Sequence, residues 1–355
     1  MEAIVLVGGL GTRLRPLTLD IPKPMLPVAG VPFLTHQLAR LAAAGVDHVV
    51  LATSYRAEVF KAHFGDGAAL GVRVDYVTET EPLGTGGGIR NVASMLTSGP
   101  TEPIVVLNGD VLSGHDIAAQ LKLHEDGGAA ATLHLVRVDD PRAFGSVPTD
   151  DSGRVTAFVE KSPEPVSDQI NAGCYVFRRS VIDGIPAAEV VSVERSTFPQ
   201  LLAAGEPVLG YVDNAYWLDV GNPAAIVQAS ADLVRGVAPS PAVAAPGEAL
   251  VAPTAEVHES ASVHGGSAVA DGARIGAGAV VDASIVGSGA RIGDGAEIVR
   301  SVIGTDVMVG ADCRLVDVVV GAGARLGARN ELLHGARVWP GVELRDVAVR
   351  FSTDA

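Results

Sequence analysis

Three glycines, Gly8, Gly9 and Gly11, stand with Thr12, Arg13, Arg15 and Lys23 in one short segment, GGLGTRLRPLTLDIPKP, that runs from Gly8 to Pro24. Residues without a Cβ let backbone N–H groups close on a polyphosphate, and cations in the same loop match its charge. Glycines alone would mark only a tight turn after a strand, and two well-known phosphate loops do not fit. A Gly-Lys-Ser/Thr sequence is absent, and Leu14 stands where the dinucleotide fingerprint has its third glycine. Arg13 and Lys23 give the loop its phosphate chemistry. Pro16, Pro22, Pro24 and Pro27 restrict the backbone that carries them, so the cations sit on a preorganised segment.

Three further groups could share that chemistry. Asp110 in VLNGDVL and Asp219 in YWLDVGNP each follow an apolar run. Mg²⁺ takes oxygen from one or two carboxylates and completes its shell with phosphates, whereas a lone Asp after a strand is an ordinary turn former or helix cap. ETEPLGTGGG, from Glu79 to Gly88, follows a strand and opens a helix, which places Glu79, Gly84 and Thr85 near a bound base. A carboxylate only accepts hydrogen bonds. It therefore suits the adjacent N1–H and N2–H donors of guanine and fits the imide edge of uracil or thymine poorly. Glu81 is an equal candidate by position.

The elements that must position these residues change character along the chain. Short apolar runs alternate with helical stretches up to about residue 235: strands at Glu2–Val7, Asp47–Thr53, Val72–Val77 and Pro103–Leu107, helices at Phe33–Ala44, Arg56–Phe64 and about Gly86–Leu96. That alternation predicts an α/β, Rossmann-like domain with a mainly parallel, doubly wound sheet over residues 1–235. Ligands of such sheets bind at the carboxyl ends of the strands, in the loops after Val7, Val77 and Leu107. Residues 236–250 are Pro/Ala-rich and read as a linker or strap.

From 251 to 345 the period becomes six. Aliphatic residues recur at Val251, Val257, Val263, Val269, Ile275 and Val281, then, after one-residue slips, from Val286, from Ile303 and from Val320. Hexads of this kind build a left-handed parallel β-helix, three to a triangular coil and about five coils here. Val286, Ile303 and Val320 are 17 residues apart, which predicts one side of the middle coils a residue short. Residues 346–355 read as a tail.

Of 355 residues 48% are hydrophobic, so the chain can bury sizeable cores, and its net charge of −15 argues against nucleic acid as a partner. No run approaches a membrane span, and Ala3–Val7 is too short and too little flanked by basic residues to be expected to act as a signal peptide. The separated cysteines Cys174 and Cys313 suit a reducing cytoplasm. His258, His264 and His334 in the β-helix share no constellation with a carboxylate or cysteine, which argues against a second, acyl-transferring activity.

GGLGTRLRPLT with PKPM resembles the signature of the nucleoside-diphosphate-sugar pyrophosphorylases, closest to their mannose-1-phosphate guanylyltransferases. The resemblance spans nearly the whole chain, because many members carry a C-terminal β-helix. It implies that Gly8, Gly9, Gly11 and Thr12 wrap a triphosphate, that Arg13 and Lys23 stabilise departing pyrophosphate, and that Asp110 and Asp219 bind Mg²⁺. Phe144-Gly145, Val159-Glu160-Lys161 and Ile170-Asn171-Ala172-Gly173 resemble the family's sugar-phosphate half-site. By that resemblance Gly145 gives the pyranose room, Glu160 and Asn171 bond its hydroxyls, and Lys161 meets its phosphate. Ser162 departs from the proline common after this lysine. The implied reaction joins GTP to mannose 1-phosphate, giving GDP-mannose and pyrophosphate, in a homo-oligomer assembled through the β-helix. The alternatives are another manno-configured sugar phosphate such as a heptose, a glucose-1-phosphate enzyme using another nucleotide, and a regulatory nucleotide-sugar-binding paralogue. Arg13, Lys23, Asp110, Lys161 and Asp219 together favour an enzyme over that last reading.

Overall fold

The computed structural model describes residues 1–54 and 56–350, so the last five positions of the expected tail lie outside the described residues. The chain forms two compact units, residues 1–9 with 37–217 and residues 10–36 with 218 onward.

The first unit is built on a nine-stranded sheet. Its strands are β1 (Glu2–Leu6), β2 (His48–Thr53), β3 (Arg73–Thr78), β4 (Pro103–Asn108), β5 (Ala131–Arg137), β6 (Gly145–Ser146), β7 (Val159–Glu160), β8 (Gln169–Arg178) and β9 (Val208–Asp213). The apolar runs EAIVL, HVVLAT and PIVVLN are buried almost throughout, as strands covered on both faces must be. β1 lies between β2 and β4, and β3 beyond β2, all parallel, so their carboxyl ends share one edge. β8 then runs antiparallel between β4 and β5, and the sheet is mixed beyond that point. Ile4, Val50, Ile104, Val106, Tyr175 and Phe177 share its core with Phe198.

Glu2 opens β1 as a buried carboxylate. It accepts from the Thr97 and Ser98 amides and the Ser98 hydroxyl, and His48 Nδ1 lies 2.6 Å away. Burial alone would raise its pKa, but these bonds outweigh it and hold the carboxyl at about 2, below the ordinary 4.5. The stabilisation is therefore complete above the unfolded value and is lost as pH falls through about 2. Linkage gives it an order of magnitude of about 3 kcal/mol. Glu2→Gln should lower the unfolding free energy at neutral pH and flatten its acid dependence between those values. Identical urea titrations of the two proteins across that range would refute the assignment.

The second unit carries the left-handed β-helix. Three parallel sheets of six, six and five strands form its sides. Val269, Val286, Ile303 and Val320 stack in one column, Ile275, Ile292, Val309 and Leu326 in the second, Val281, Ile298, Leu315 and Leu332 in the third. These side chains fill the interior. The short corners turn through left-handed residues, Ala283, Arg300 and Asp317. Beside them Ser267, Ser284 and Ser301 form a ladder, each hydroxyl accepting from the amide one coil on. The helix Pro223–Val234 precedes the coils, capped by Asn222. Between them Ser240 Oγ lies 2.8 Å from His36 Nδ1, so the Pro/Ala-rich segment is tied down. Two of the three β-helical histidines do have an acidic neighbour: His264 Nδ1 is 3.1 Å from Asp282 Oδ1, on the half-exposed surface, and His334 lies close enough to Asp317 to help lower the pKa of its carboxyl.

Candidate active site

In the first unit, β1 delivers Gly8 and Gly9 beside Ser54, whose hydroxyl accepts from the Gly9 amide at 3.3 Å. After β3, the Glu79 amide donates to Thr53 O (2.8 Å) and its carboxylate lies over the glycine-rich helix Gly84–Asn91. Burial pushes the Glu79 carboxyl above its ordinary value, opposed by a long bond (3.5 Å) from the Leu83 amide. A ligand with two N–H donors would restore the charged form there. The Thr85 hydroxyl is committed within the chain, donating to Glu194 Oε2 (2.8 Å) and accepting from the Val193 amide (3.0 Å). The amides of Gly86 and Gly87 likewise donate to Val191 O. The glycines that open this helix lie against residues 189–191, which explains part of the run by close packing.

Asp110 stands in the turn between β4 and the strand Val111–Ser113. Gln37 Nε2 clamps that turn, donating to Asn108 O and Val111 O, both at 2.9 Å. Among the described residues no three His, Cys, Asp or Glu side chains form a metal cage. Asp110 here, and Asp219 in the second unit, each offer hard carboxylate oxygen, the donor type of an ion that draws its other ligands from phosphates.

The sugar-side motifs come from neighbouring strands. Gly145 faces Glu160 across β6 and β7. A Cβ on Gly145 would stand 2.7 Å from Glu160 Oε2 and 3.0 Å from the Phe158 ring, so the room this glycine leaves is used by the Glu160 carboxylate. Burial raises the Glu160 pKa, opposed by Lys161, whose Nζ is 3.7 Å from Oε1. Lys161 has φ +48, a conformation uncommon outside glycine and concentrated at functional positions. Asn171 donates to the buried Tyr175 hydroxyl (2.9 Å) and accepts from the Gly173 amide (3.1 Å) across a bulge in β8. Asn108 also bonds Tyr175, and its Oδ1 is buried without a partner among the described residues. Trp217 donates to Ala172 O (2.9 Å) and stacks edge-on against Phe144. Asn108, Tyr175 and Gln37 join the site only in the structure. Asn108 stood in plain view two residues before Asp110, whereas the other two gave no sequence signal.

The second unit holds the loop cations Arg13 and Lys23. Gly11 has φ +57, and a Cβ there would meet Thr18 and the Lys23 Cβ at 3.0 and 3.2 Å, while the Thr18 hydroxyl donates to Gly11 O (2.8 Å). Thr12, Arg13 and Leu14 form one 3₁₀ turn, Lys23 begins another. The Arg13 guanidinium lies against Gly221, two residues past Asp219. Arg13, Lys23 and Asp219 thus belong to this unit, and Glu79, Asp110, Gly145, Glu160, Lys161 and Asn171 to the first.

The family profile described as Nucleotidyl transferase matches residues 2–236, and one described as GMPPB C-terminal domain matches residues 245–350. The mannose-1-phosphate guanylyltransferase of Mycobacterium tuberculosis (strain ATCC 25618 / H37Rv) is 59% identical over 356 residues, covering 100% of this chain and 98% of that protein. Mannose-1-phosphate guanylyltransferase 1 of Arabidopsis thaliana is 41% identical over 225 residues, 63% of this chain and 62% of that protein. HddC from Yersinia pseudotuberculosis, a solved structure, is similar at TM-score 0.55 and 30% identity over 64% of this chain and 97% of its own. HddC has also been solved complexed with GMP-PN. With profiles over both parts of the chain and a relative matched end to end, the chain belongs to the nucleotidyl transferase family, as an enzyme grouped with the mannose-1-phosphate guanylyltransferases.

Proposed function

We propose that the enzyme transfers the guanylyl group of GTP to mannose 1-phosphate, giving GDP-mannose and pyrophosphate. The end-to-end likeness to a mannose-1-phosphate guanylyltransferase carries this reading, and the half-buried, acceptor-only Glu79 supports guanine as the base. Asp110 and Asp219 would hold Mg²⁺. That ion, when bound, neutralises phosphate charge and orients the triphosphate.

The second pKa of the sugar phosphate, about 6 as in other phosphate monoesters, leaves it largely dianionic at neutral pH. Its oxygen attacks the α-phosphorus as the bond to the bridging oxygen breaks, and no general base is required. Catalysis is positioning plus charge stabilisation. Gly8, Gly9, Gly11 and Thr12 line the triphosphate, and Gly84 and Thr85 flank the nucleotide. Arg13 and Lys23 meet the charge that develops on the leaving pyrophosphate. Glu160 and Asn171 bond the sugar hydroxyls, Gly145 leaves Glu160 its place, and Lys161 draws in the sugar phosphate. We place assembly into a homo-oligomer on the exposed β-helix. No helix among the described residues is long and apolar enough to cross a membrane.

Pyrophosphate release over a matrix of nucleoside triphosphates and sugar 1-phosphates, with and without Mg²⁺, tests the whole reading. Turnover with UTP or dTTP alone would overturn the base assignment, and no turnover with any pair would overturn the enzyme. Glu79→Gln should raise KM for GTP about 10- to 100-fold, the loss of a half-buried acceptor for two donors. Acidification should raise the wild-type KM for GTP as Glu79 protonates, and the variant should lack that rise.

A further inference from the structure

Arg337 opens the strand Arg337–Val338 of the β-helix, paired in register with Val319. Its Nη1 donates to the carbonyl oxygens of Arg13 (2.9 Å) and Arg15 (2.6 Å). The loop's own amides take the interleaved carbonyls: Leu14 N–H that of Gly11, Arg15 N–H that of Thr12, Leu17 N–H that of Leu14, Leu19 N–H that of Pro16. One guanidinium therefore completes the hydrogen bonding on both sides of Leu14, which is wholly buried. Both bonds have a charged donor, the stronger class. The side chain itself is exposed and lines a cavity of about 620 Å³ beside the helix Pro223–Val234, so its removal opens no core.

We propose that Arg337 is a positioning residue of the reaction. By fixing the Arg13 and Arg15 carbonyls it sets the backbone from which the Arg13 guanidinium projects over Gly221, and so the place where charge on departing pyrophosphate is met. The β-helix then acts in nucleotidyl transfer as the anchor of the phosphate loop. The inference rests on the reading of Arg13 as the pyrophosphate-facing cation.

Steady-state kinetics of the full-length protein in both directions test it. Arg337→Ala should lower kcat, and raise KM for pyrophosphate in the reverse reaction, by about 10- to 100-fold, the range expected when a reacting group is misplaced by about 1 Å. KM for mannose 1-phosphate and the thermal midpoint should stay at wild-type values. Arg337→Lys, which keeps a charged donor, should recover most of the loss, and Arg337→Gln should not. Unchanged kinetics in Arg337→Ala alongside a crippled Arg13→Ala would overturn the proposal and leave the loop reading standing. An active Arg13→Ala would instead overturn the loop reading. A parallel fall of every parameter with the thermal midpoint, unrescued by lysine, would reduce Arg337 to a structural contact and overturn its positioning role.

Discussion

Asp110→Ala should fold like the wild type and lose at least about 10²-fold in turnover, the scale seen when a principal electrostatic partner of a transition state is removed. The turn that carries Asp110 is held from outside by Gln37, through bonds to the carbonyls of Asn108 and Val111. The backbone should keep its course without the carboxylate. Circular dichroism and the thermal midpoint report that integrity, and pyrophosphate release reports the loss. Raising Mg²⁺ should not restore the alanine variant, because the donor is gone, whereas Asp110→Glu should regain a measurable part. A folded Asp110→Ala protein turning over at near the wild-type rate would remove the metal from this position.

Ile298→Asp should have the largest effect on stability. Ile298 is fully buried, stacked between Val281 and Leu315 in an interior column. An unpaired carboxylate there costs more than about 4 kcal/mol. Because the interior columns run from coil to coil, damage in a middle coil separates those on either side. The protein should be lost to the insoluble fraction or melt far below the wild type. Ile298→Val, a control for shape alone, should cost about 0.5–1.5 kcal/mol. An aspartate variant melting with the valine one would mean that the column is not the sealed interior described above.

The β-helix was legible because its interior is written directly into the sequence. Val286, Ile303 and Val320 occupy one column, and the missing residue falls at the corners of Ala283, Arg300 and Asp317. The parallel strands were legible for a similar reason, as both faces are covered and the runs are apolar throughout. The antiparallel passage of β8 was not. Its sequence, QINAGCYVFR, has no period that gives direction, and direction is decided by pairing with β4 and β5. Motif residues could be named, but their hydrogen-bond commitments could not. Glu194 takes up the Thr85 hydroxyl from far along the chain, and Glu160 fills the space beside Gly145. Arg337 gave no local signal, since its partners are two carbonyls, which every residue type carries.

The loop from Leu10 to His36 is made early, yet it packs in one compact unit with residues made much later, from Leu218 onward. Arg337 follows its two loop partners by 324 and 322 positions. At a synthesis rate of 5–20 residues per second that is a wait of roughly 15–65 s. For that interval the nascent chain can lay down the strands of its sheet, but the loop has no coil to rest on. A ribosome that stops before residue 337 releases a polypeptide with the signature intact and its anchor missing. On this reading, the β-helix ties the phosphate loop to a stretch of chain made long after it.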